Sequence, residues 1–175
     1  PKNRMDDTFS WGLKKFLMEG TTLAAMQHKY SNEYIVKIIR FIEERKTAYL
    51  AMEFIDGMPI DKFALSSKIT SAHQVEEIFH SICTKALKPI HEANFYHRDI
   101  KPDNILVRNS NQQPVVIDFG AARQTAGGKS TVAVLSPKYS AVEQYASQQD
   151  GEDDGAEDLC GSFTDIYSLA STFYF

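Results

Sequence analysis

The spacing of apolar residues along the chain predicts two helices. Apolar residues recur at approximately helical spacing over residues 10–28, and they recur at three- and four-residue steps over residues 75–90. A stripe of this kind faces a core. Ser71 and Gln74 precede the second stripe with the spacing of a capping box, in which the serine oxygen accepts a backbone N–H of the first turn. The second helix is therefore predicted to begin after Ser71.

The strand signals come in two pairs. β-Branched and aromatic runs at 35–43 and 47–55 flank a short polar turn, which predicts a hairpin. Strand-like runs at 104–107 and 114–118 flank a second polar turn, and a long loop follows them. The order helix, hairpin, long helix, hairpin and loop predicts an α+β fold whose polar motifs lie on loops between rigid elements.

Composition and charge argue against several classes of protein. The 175 residues are 43% hydrophobic and 24% charged, as in an ordinary globular domain. The formal net charge of −4 gives no sign of a nucleic-acid partner. No apolar run approaches the roughly 18 residues that a membrane helix needs. Two cysteines without CxxC spacing indicate reduced thiols, so we expect a cytoplasmic protein.

Residues 97–104, with the sequence HRDIKPDN, are the most informative stretch of the chain. Transfer of a phosphoryl group from ATP depends on positioning and charge neutralisation. A carboxylate must orient the acceptor hydroxyl and take its proton, and Asp99 fits that role. Lys101 supplies a cation for the migrating phosphoryl group. Asn104 and Asp118 offer the hard oxygen ligands that Mg²⁺ prefers.

These residues resemble the motifs of protein kinases. Residues 97–104 are similar to the catalytic loop HRD-x-K-x-x-N, and residues 118–120 (DFG) resemble the magnesium loop. The lysine two positions after Asp99 is the serine/threonine form of that loop. The resemblance implies a protein-kinase-like two-lobe α+β fold that is incomplete in this chain, and it implies ATP and Mg²⁺ as cofactors.

The resemblance also implies a division of the chain into two parts. Residues 1–55 would be the remainder of the small β-rich lobe, with helix C, the following strands and the hinge. Residues 56–175 would be a partial helical lobe that reaches the start of helix F. No Gly-rich loop and no lysine-bearing strand precede helix C in this sequence. Because the family has these elements, we expect the chain to be a fragment of a larger catalytic domain.

By the same resemblance, five residues belong to the ATP site. Glu19 is similar to the helix C glutamate that pairs with the ATP-binding lysine. Met52 stands at the gatekeeper position, and the backbone of Glu53 and Ile55 would face adenine. Leu106 matches the residue that packs beneath the adenine ring.

Further assignments concern regulation and substrate binding. Residues 136–139 (SPKY) are similar to the TPGY-type substrate-binding loop, in which Lys138 stands where the family usually has glycine. Residues 141–143 resemble the APE motif. Asp165 matches the helix F aspartate that anchors the catalytic-loop backbone. Arg98, beside the base, implies control by phosphorylation, because a phosphate on the following loop could pair with it. The candidate phosphorylation sites are Thr125, Ser130 and Thr131.

The sequence favours one function and leaves two alternatives. The favoured function is an ATP-dependent serine/threonine protein kinase, whose partners are ATP and a protein substrate with Ser or Thr hydroxyls. A catalytically inactive remnant that acts as a binding or scaffold module is the first alternative, and Lys138 and the missing ATP lid support it. A small-molecule phosphotransferase shares the Asp…Asn…Asp arrangement, but Lys101 and the SPKY segment argue against it.

Overall fold

The computed structural model describes residues 20, 24, 32–44, 47–66, 69, 71–124, 135–149 and 159–174. The predicted helix over residues 10–28 lies almost wholly outside the described residues. Four residues with predicted roles also lie outside them, namely Glu19, Thr125, Ser130 and Thr131. Among the helices of the described part, none combines the length and the apolar character needed to cross a membrane.

The first predicted hairpin is present. Strand β1, Ile38–Glu44, pairs in antiparallel fashion with β2, Thr47–Met52, and Phe41 lies opposite Leu50 in the register. The predicted first strand begins three residues too early, at Ile35. Ile35 instead forms a parallel bridge to Val116, and Val36 N donates to Val116 O at 3.0 Å. Val36 is buried, and these two residues pair with β6 instead of extending the hairpin, because the long-range partner Val116 takes the backbone hydrogen bonds at this point of the chain.

A second sheet carries the site. It consists of β3, Gly57–Pro59, β5, Ile105–Arg108, and β6, Pro114–Val116, in the order β3-β5-β6 and all antiparallel. The short strand β4, Phe95–Tyr96, pairs with β7, Arg123–Gln124. The second predicted strand pair is confirmed as β5 and β6. Relative to the predicted runs, β5 is shifted by one residue toward the C-terminus, and β6 ends two residues earlier.

The long predicted helix is also present. It comprises α2, Ala72–Ser81, a π-helical segment, Ile82–Leu87, and α3, Lys88–Glu92, and it follows the short helix α1, Ile60–Leu65. Ser71 Oγ accepts a hydrogen bond from Gln74 N at 3.2 Å, which confirms the predicted cap. Two further helices are α4, Val142–Gln149, and α5, Ser162–Tyr174.

One apolar cluster joins the long helix to the β3-β5-β6 sheet. Its members come from the helices, the sheet and the loop that carries Phe119, and all of them are buried. The largest fully buried members are Phe63, Ile82, Leu87, Ile90, Ile100, Ile105, Val107, Val115, Phe119 and Leu169. Because close-packed side chains resist displacement, loops anchored in this cluster hold their polar residues in defined positions.

Candidate active site

A buried carboxylate on α5 fixes the backbone of the loop that joins β4 to β5. Asp165 has no solvent exposure. Its Oδ2 accepts a hydrogen bond from His97 N at 2.8 Å, and its Oδ1 accepts one from Arg98 N at 2.7 Å. His91 Nε2 lies 2.7 Å from Asp165 Oδ2, and because an ionised carboxylate only accepts, the imidazole donates. The predicted anchoring of this loop by Asp165 is confirmed.

His97 holds the same loop from within the core. Its Nδ1 accepts from Asp99 N at 3.3 Å, and its Nε2 lies 3.0 Å from Ile117 O. This pattern requires the neutral tautomer with the proton on Nε2, assigned from the hydrogen-bond network. The ring packs against Phe119 with 4.7 Å between centroids. The loop is thus tied to the segment that carries Asp118.

Asp99 lies at the centre of a polar cluster with three other side chains. The residue is 8% exposed. Its Oδ2 accepts from Lys101 Nζ at 2.7 Å and from Asn104 Nδ2 at 3.1 Å. Its Oδ1 accepts from Ser136 Oγ at 2.6 Å. Lys101 Nζ also donates to Ser136 Oγ at 3.2 Å, which closes the cluster. An oriented carboxylate beside one cation can bind a hydroxyl and accept its proton.

Asn104 and Asp118 lie at the same end of the β5-β6 ladder. Ile117 N donates to Asn104 O at 2.9 Å, so Asn104 is paired with the residue that immediately precedes Asp118. Asn104 Nδ2 donates to Asp99 O at 2.8 Å as well as to the Asp99 side chain, so the amide oxygen faces away from Asp99. Asp118 is exposed and has a φ of 58°, in the left-handed region, which turns its carboxylate out of the strand direction.

The two oxygen donors fit Mg²⁺ by their chemistry. One amide oxygen and one carboxylate are hard ligands, and Mg²⁺ is commonly held by one or two protein groups together with phosphate oxygens. Within the described residues, no group of three or more His, Cys, Asp or Glu side chains could hold a metal by itself.

The segment after β2 connects the β1-β2 hairpin to the β3-β5-β6 sheet. Met52 ends β2 and is 44% exposed, whereas Ile55 is buried. Glu53 N donates to Lys37 O at 2.8 Å, and the role of its backbone at the adenine ring stays a prediction. The Glu53 carboxylate accepts from Lys37 N at 3.0 Å and from Arg108 Nη2 at 3.2 Å, which links β5 to the residue before β1. Leu106 is half-buried on β5, opposite Pro59.

A family comparison agrees with this geometry. The family model described as "Protein kinase domain" matches residues 2–175. The chain belongs to the protein kinase domain family. The solved structure "PpkA-294 apo form" is similar, with a TM-score of 0.73 and 29% sequence identity, over 98% of this chain and 56% of that chain. The predicted α+β, kinase-like and incomplete fold is confirmed.

Curated relatives of this kinase-family chain include several bacterial proteins. It is 33% identical over 147 residues to "Serine/threonine-protein kinase C" of Synechocystis sp.. This alignment covers 79% of this chain and 27% of the relative. It is 38% identical over 96 residues to "Serine/threonine-protein kinase D" of the same organism, covering 55% and 18%. The resemblance to bacterial-type serine/threonine kinases is confirmed. The kinase-family chain spans 27% or less of the length of these two relatives.

Arg98 of this kinase-family chain is buried. It is 4% exposed, and its Nη2 donates to Cys160 Sγ at 3.2 Å. Its φ of 66° lies in the left-handed region, which disfavours any residue with a Cβ. Its carbonyl accepts from Gln144 Nε2 at 2.8 Å. The guanidinium therefore already has contacts within the fold, and phosphate binding by Arg98 stays a prediction.

The segment similar to the kinase substrate-binding loop forms a tight turn. Tyr139 N and Ser140 N both donate to Ser136 O at 3.0 Å, and Ser136 N donates to Ser140 Oγ at 2.9 Å. Lys138 is exposed and has a φ of 84°, which explains why glycine is usual at this position. Glu143 Oε1 accepts from Thr164 Oγ1 at 2.6 Å, which joins α4 to α5.

Three functional contacts were not predicted from the sequence of this kinase-family chain. The motif places Ser136 in the segment similar to the substrate-binding loop, but nothing in the sequence indicates its bond to Asp99. His91 had no motif to mark its contact with Asp165. Gln144, which is 1% exposed, follows the APE-like residues and carried no signal of its own.

Proposed function

We propose that the chain forms part of the catalytic domain of a serine/threonine protein kinase, which transfers the γ-phosphate of ATP to Ser or Thr hydroxyls of a protein substrate. The observation that carries this proposal is the cluster in which Lys101, Asn104 and Ser136 hold the Asp99 carboxylate. The serine/threonine kinase relatives support the same function. The expected cytoplasmic location and the expected lack of a nucleic-acid partner stay predictions.

In the proposed reaction, Asp99 is the base. It accepts the proton of the substrate hydroxyl as the hydroxyl oxygen bonds to the γ-phosphorus. The bond from that phosphorus to the bridging oxygen of the β-phosphate breaks, and ADP leaves with the electron pair. Lys101 Nζ, 2.7 Å from Asp99 Oδ2, offers positive charge to the oxygens of the phosphoryl group in transit. Arg98 positions the base through its backbone.

Asn104 and Asp118 are the residues that would hold Mg²⁺. Bound magnesium neutralises phosphate charge during the transfer. The contribution of the chain is to present one amide oxygen and one carboxylate from the same end of the β5-β6 ladder. Asp118 Oδ1 also accepts from Gly120 N at 3.2 Å, which restricts the orientation of its carboxylate.

The adenine end of the site is proposed to lie along the connection after β2. Met52 would limit its depth, the carbonyl of Glu53 and the backbone of Ile55 would face the adenine edge, and Leu106 would pack beneath the ring. The engagement of Glu53 N with Lys37 O supports the carbonyl as the ligand-facing group. Glu19 is proposed to pair with an ATP-binding lysine.

Phosphorylation of a Ser/Thr peptide library by the full-length protein, with radiolabelled ATP and Mg²⁺, tests the proposal. Asp99→Asn should lower kcat by about 10²–10⁴-fold, because the base is removed while ATP contacts persist. Asp61→Asn, at an exposed position on α1, is the matched control and should retain the wild-type rate. Equal rates for Asp99→Asn and wild type would sink the assignment of the base.

A scaffold module without catalysis makes different predictions for the same protein. It would transfer no phosphate, and Mg²⁺ with ATP would not raise its melting temperature. The kinase proposal expects a clear rise that requires both ATP and Mg²⁺, and it expects Asp118→Asn to reduce that rise. A protein that is neither stabilised nor active would support the scaffold.

A further inference from the structure

Gln144 connects two parts of the chain that are distant in sequence. It lies in the first turn of α4 and is 1% exposed. Its Oε1 accepts from Ala141 N at 3.0 Å, and its Nε2 donates to Arg98 O at 2.8 Å, across 46 residues of sequence. Both ends of the amide are thus engaged, and its orientation is determined. A methionine of similar shape could make neither bond.

The peptide between Arg98 and Asp99 is held at both of its polar groups. Its carbonyl is the group that Gln144 binds, and its N–H makes a long hydrogen bond of 3.3 Å to His97 Nδ1. Arg98 adopts a φ of 66°, a conformation that persists for a non-glycine residue only when its surroundings determine it. Asp165 holds the N–H of Arg98 on one side. Gln144 holds the carbonyl on the other side.

We propose that Gln144 is a positioning residue for Asp99. By fixing the plane of the Arg98–Asp99 peptide, it sets the direction in which the Asp99 side chain leaves the backbone. The position of α4 would then control the geometry of the base. The catalytic consequence rests on the kinase function proposed above, whereas the effect on the loop does not depend on activity.

The first test compares Gln144→Met with Thr172→Val in the full-length protein. Thr172 is a matched control because it is buried on α5 and its Oγ1 donates to Ser168 O at 2.8 Å, away from the catalytic loop. Amide hydrogen exchange of residues 97–99 should become faster in Gln144→Met and stay unchanged in Thr172→Val. In activity assays, Gln144→Met should lose about 10- to 100-fold in kcat with little change in the Kd for ATP.

The second test uses Gln144→Glu, which serves if the methionine variant does not fold. When protonated, the introduced carboxyl can donate to Arg98 O and accept from Ala141 N as the amide does. When ionised, it sets a negative charge against the Arg98 carbonyl. Because burial at this position raises the pKa of the introduced carboxyl, its protonated fraction grows as the pH falls from 8 to 6. The ratio of its kcat to that of the wild type should therefore rise over this range, measured well below both melting temperatures. A contribution to stability alone would leave this ratio flat.

The outcomes separate the two proposals. An inactive wild type with faster exchange at residues 97–99 in Gln144→Met would overturn the kinase function and support the positioning role. An active wild type whose exchange and kcat are unchanged by Gln144→Met would overturn the positioning role. If only Gln144→Glu folds, a flat ratio of kcat across pH overturns it.

Discussion

Replacing Asp165 with asparagine should remove one particular hydrogen bond from the catalytic loop. On the Oδ2 side, the wild-type carboxylate receives two donors, His97 N and His91 Nε2, and on the Oδ1 side it receives Arg98 N. An amide has only one oxygen. That oxygen should stay where the two donors converge, so the new NH₂ group would face Arg98 N. The Arg98 amide should therefore lose this acceptor while His97 keeps its own.

The expected destabilisation follows from these contacts. Hydrogen bonds to a charged acceptor contribute about 1.5–3 kcal/mol each, and neutral ones contribute about 1 kcal/mol. Losing the Arg98 bond and weakening the His97 and His91 bonds from charged to neutral should together cost at least about 3 kcal/mol. Domains of this size have about 5–15 kcal/mol of unfolding free energy, so the variant should still fold.

Urea unfolding of the full-length protein measures this change. With a slope of about 2 kcal/mol per molar urea, the midpoint should fall by at least about 1.5 M. Glu92→Gln is the control, because it removes an exposed pair in which Lys88 Nζ lies 3.8 Å from Glu92 Oε1. That loss should be under about 0.5 kcal/mol. A midpoint shift below about 0.3 M for Asp165→Asn would refute the reasoning. Hydrogen exchange that is slower at the Arg98 amide than at the His97 amide in this variant would also refute it.

Three further predictions concern other parts of the chain. Burial raises the pKa of the Cys83 thiol, so less thiolate is present at pH 8 and iodoacetamide should label Cys83 more slowly than a free cysteine; labelling at the free rate would contradict this. The partly buried pair of Glu53 and Arg108 should show a coupling of about 0.5–1 kcal/mol in a double-mutant cycle with Glu53→Gln and Arg108→Gln, and zero coupling would count against it. Gly57→Ala should cost about 2 kcal/mol or more in a melting experiment, because the added Cβ would lie 2.4 Å from Val107 O; an unchanged melting temperature would show that the strands separate easily.

Local signals in the sequence predicted the two strand pairs and the long helix, but not the short elements β3, β4, β7 and α1. The capping pattern at Ser71 and Gln74 predicted the start of the long helix, since capping depends on residues three positions apart. The first hairpin was predicted because its strands are adjacent in sequence. The boundaries were less accurate, and the error at Ile35 arose because this residue pairs with Val116, a partner that no local pattern reveals.

The side chains proposed for catalysis were predictable because they fall within short motifs. Asp99, Lys101 and Asn104 lie within six residues of one another, and their relative position follows from one loop. The roles of Glu19 and of the candidate phosphorylation sites stay predictions, because these residues lie outside the described part of the chain.

The sequence by itself determined the family, the α+β order of elements and the identity of the residues proposed for chemistry. The tertiary structure decided how those residues are held. Ser136 reaches Asp99 across 37 residues, Gln144 reaches Arg98 across 46, and His91 reaches Asp165 across 74. Such contacts depend on how helices and sheets pack, because packing brings together residues whose separation along the chain carries no periodic signal. In the sequence alone, Ser136, Gln144 and His91 cannot be distinguished from ordinary polar surface residues, because the partner of each is far away along the chain.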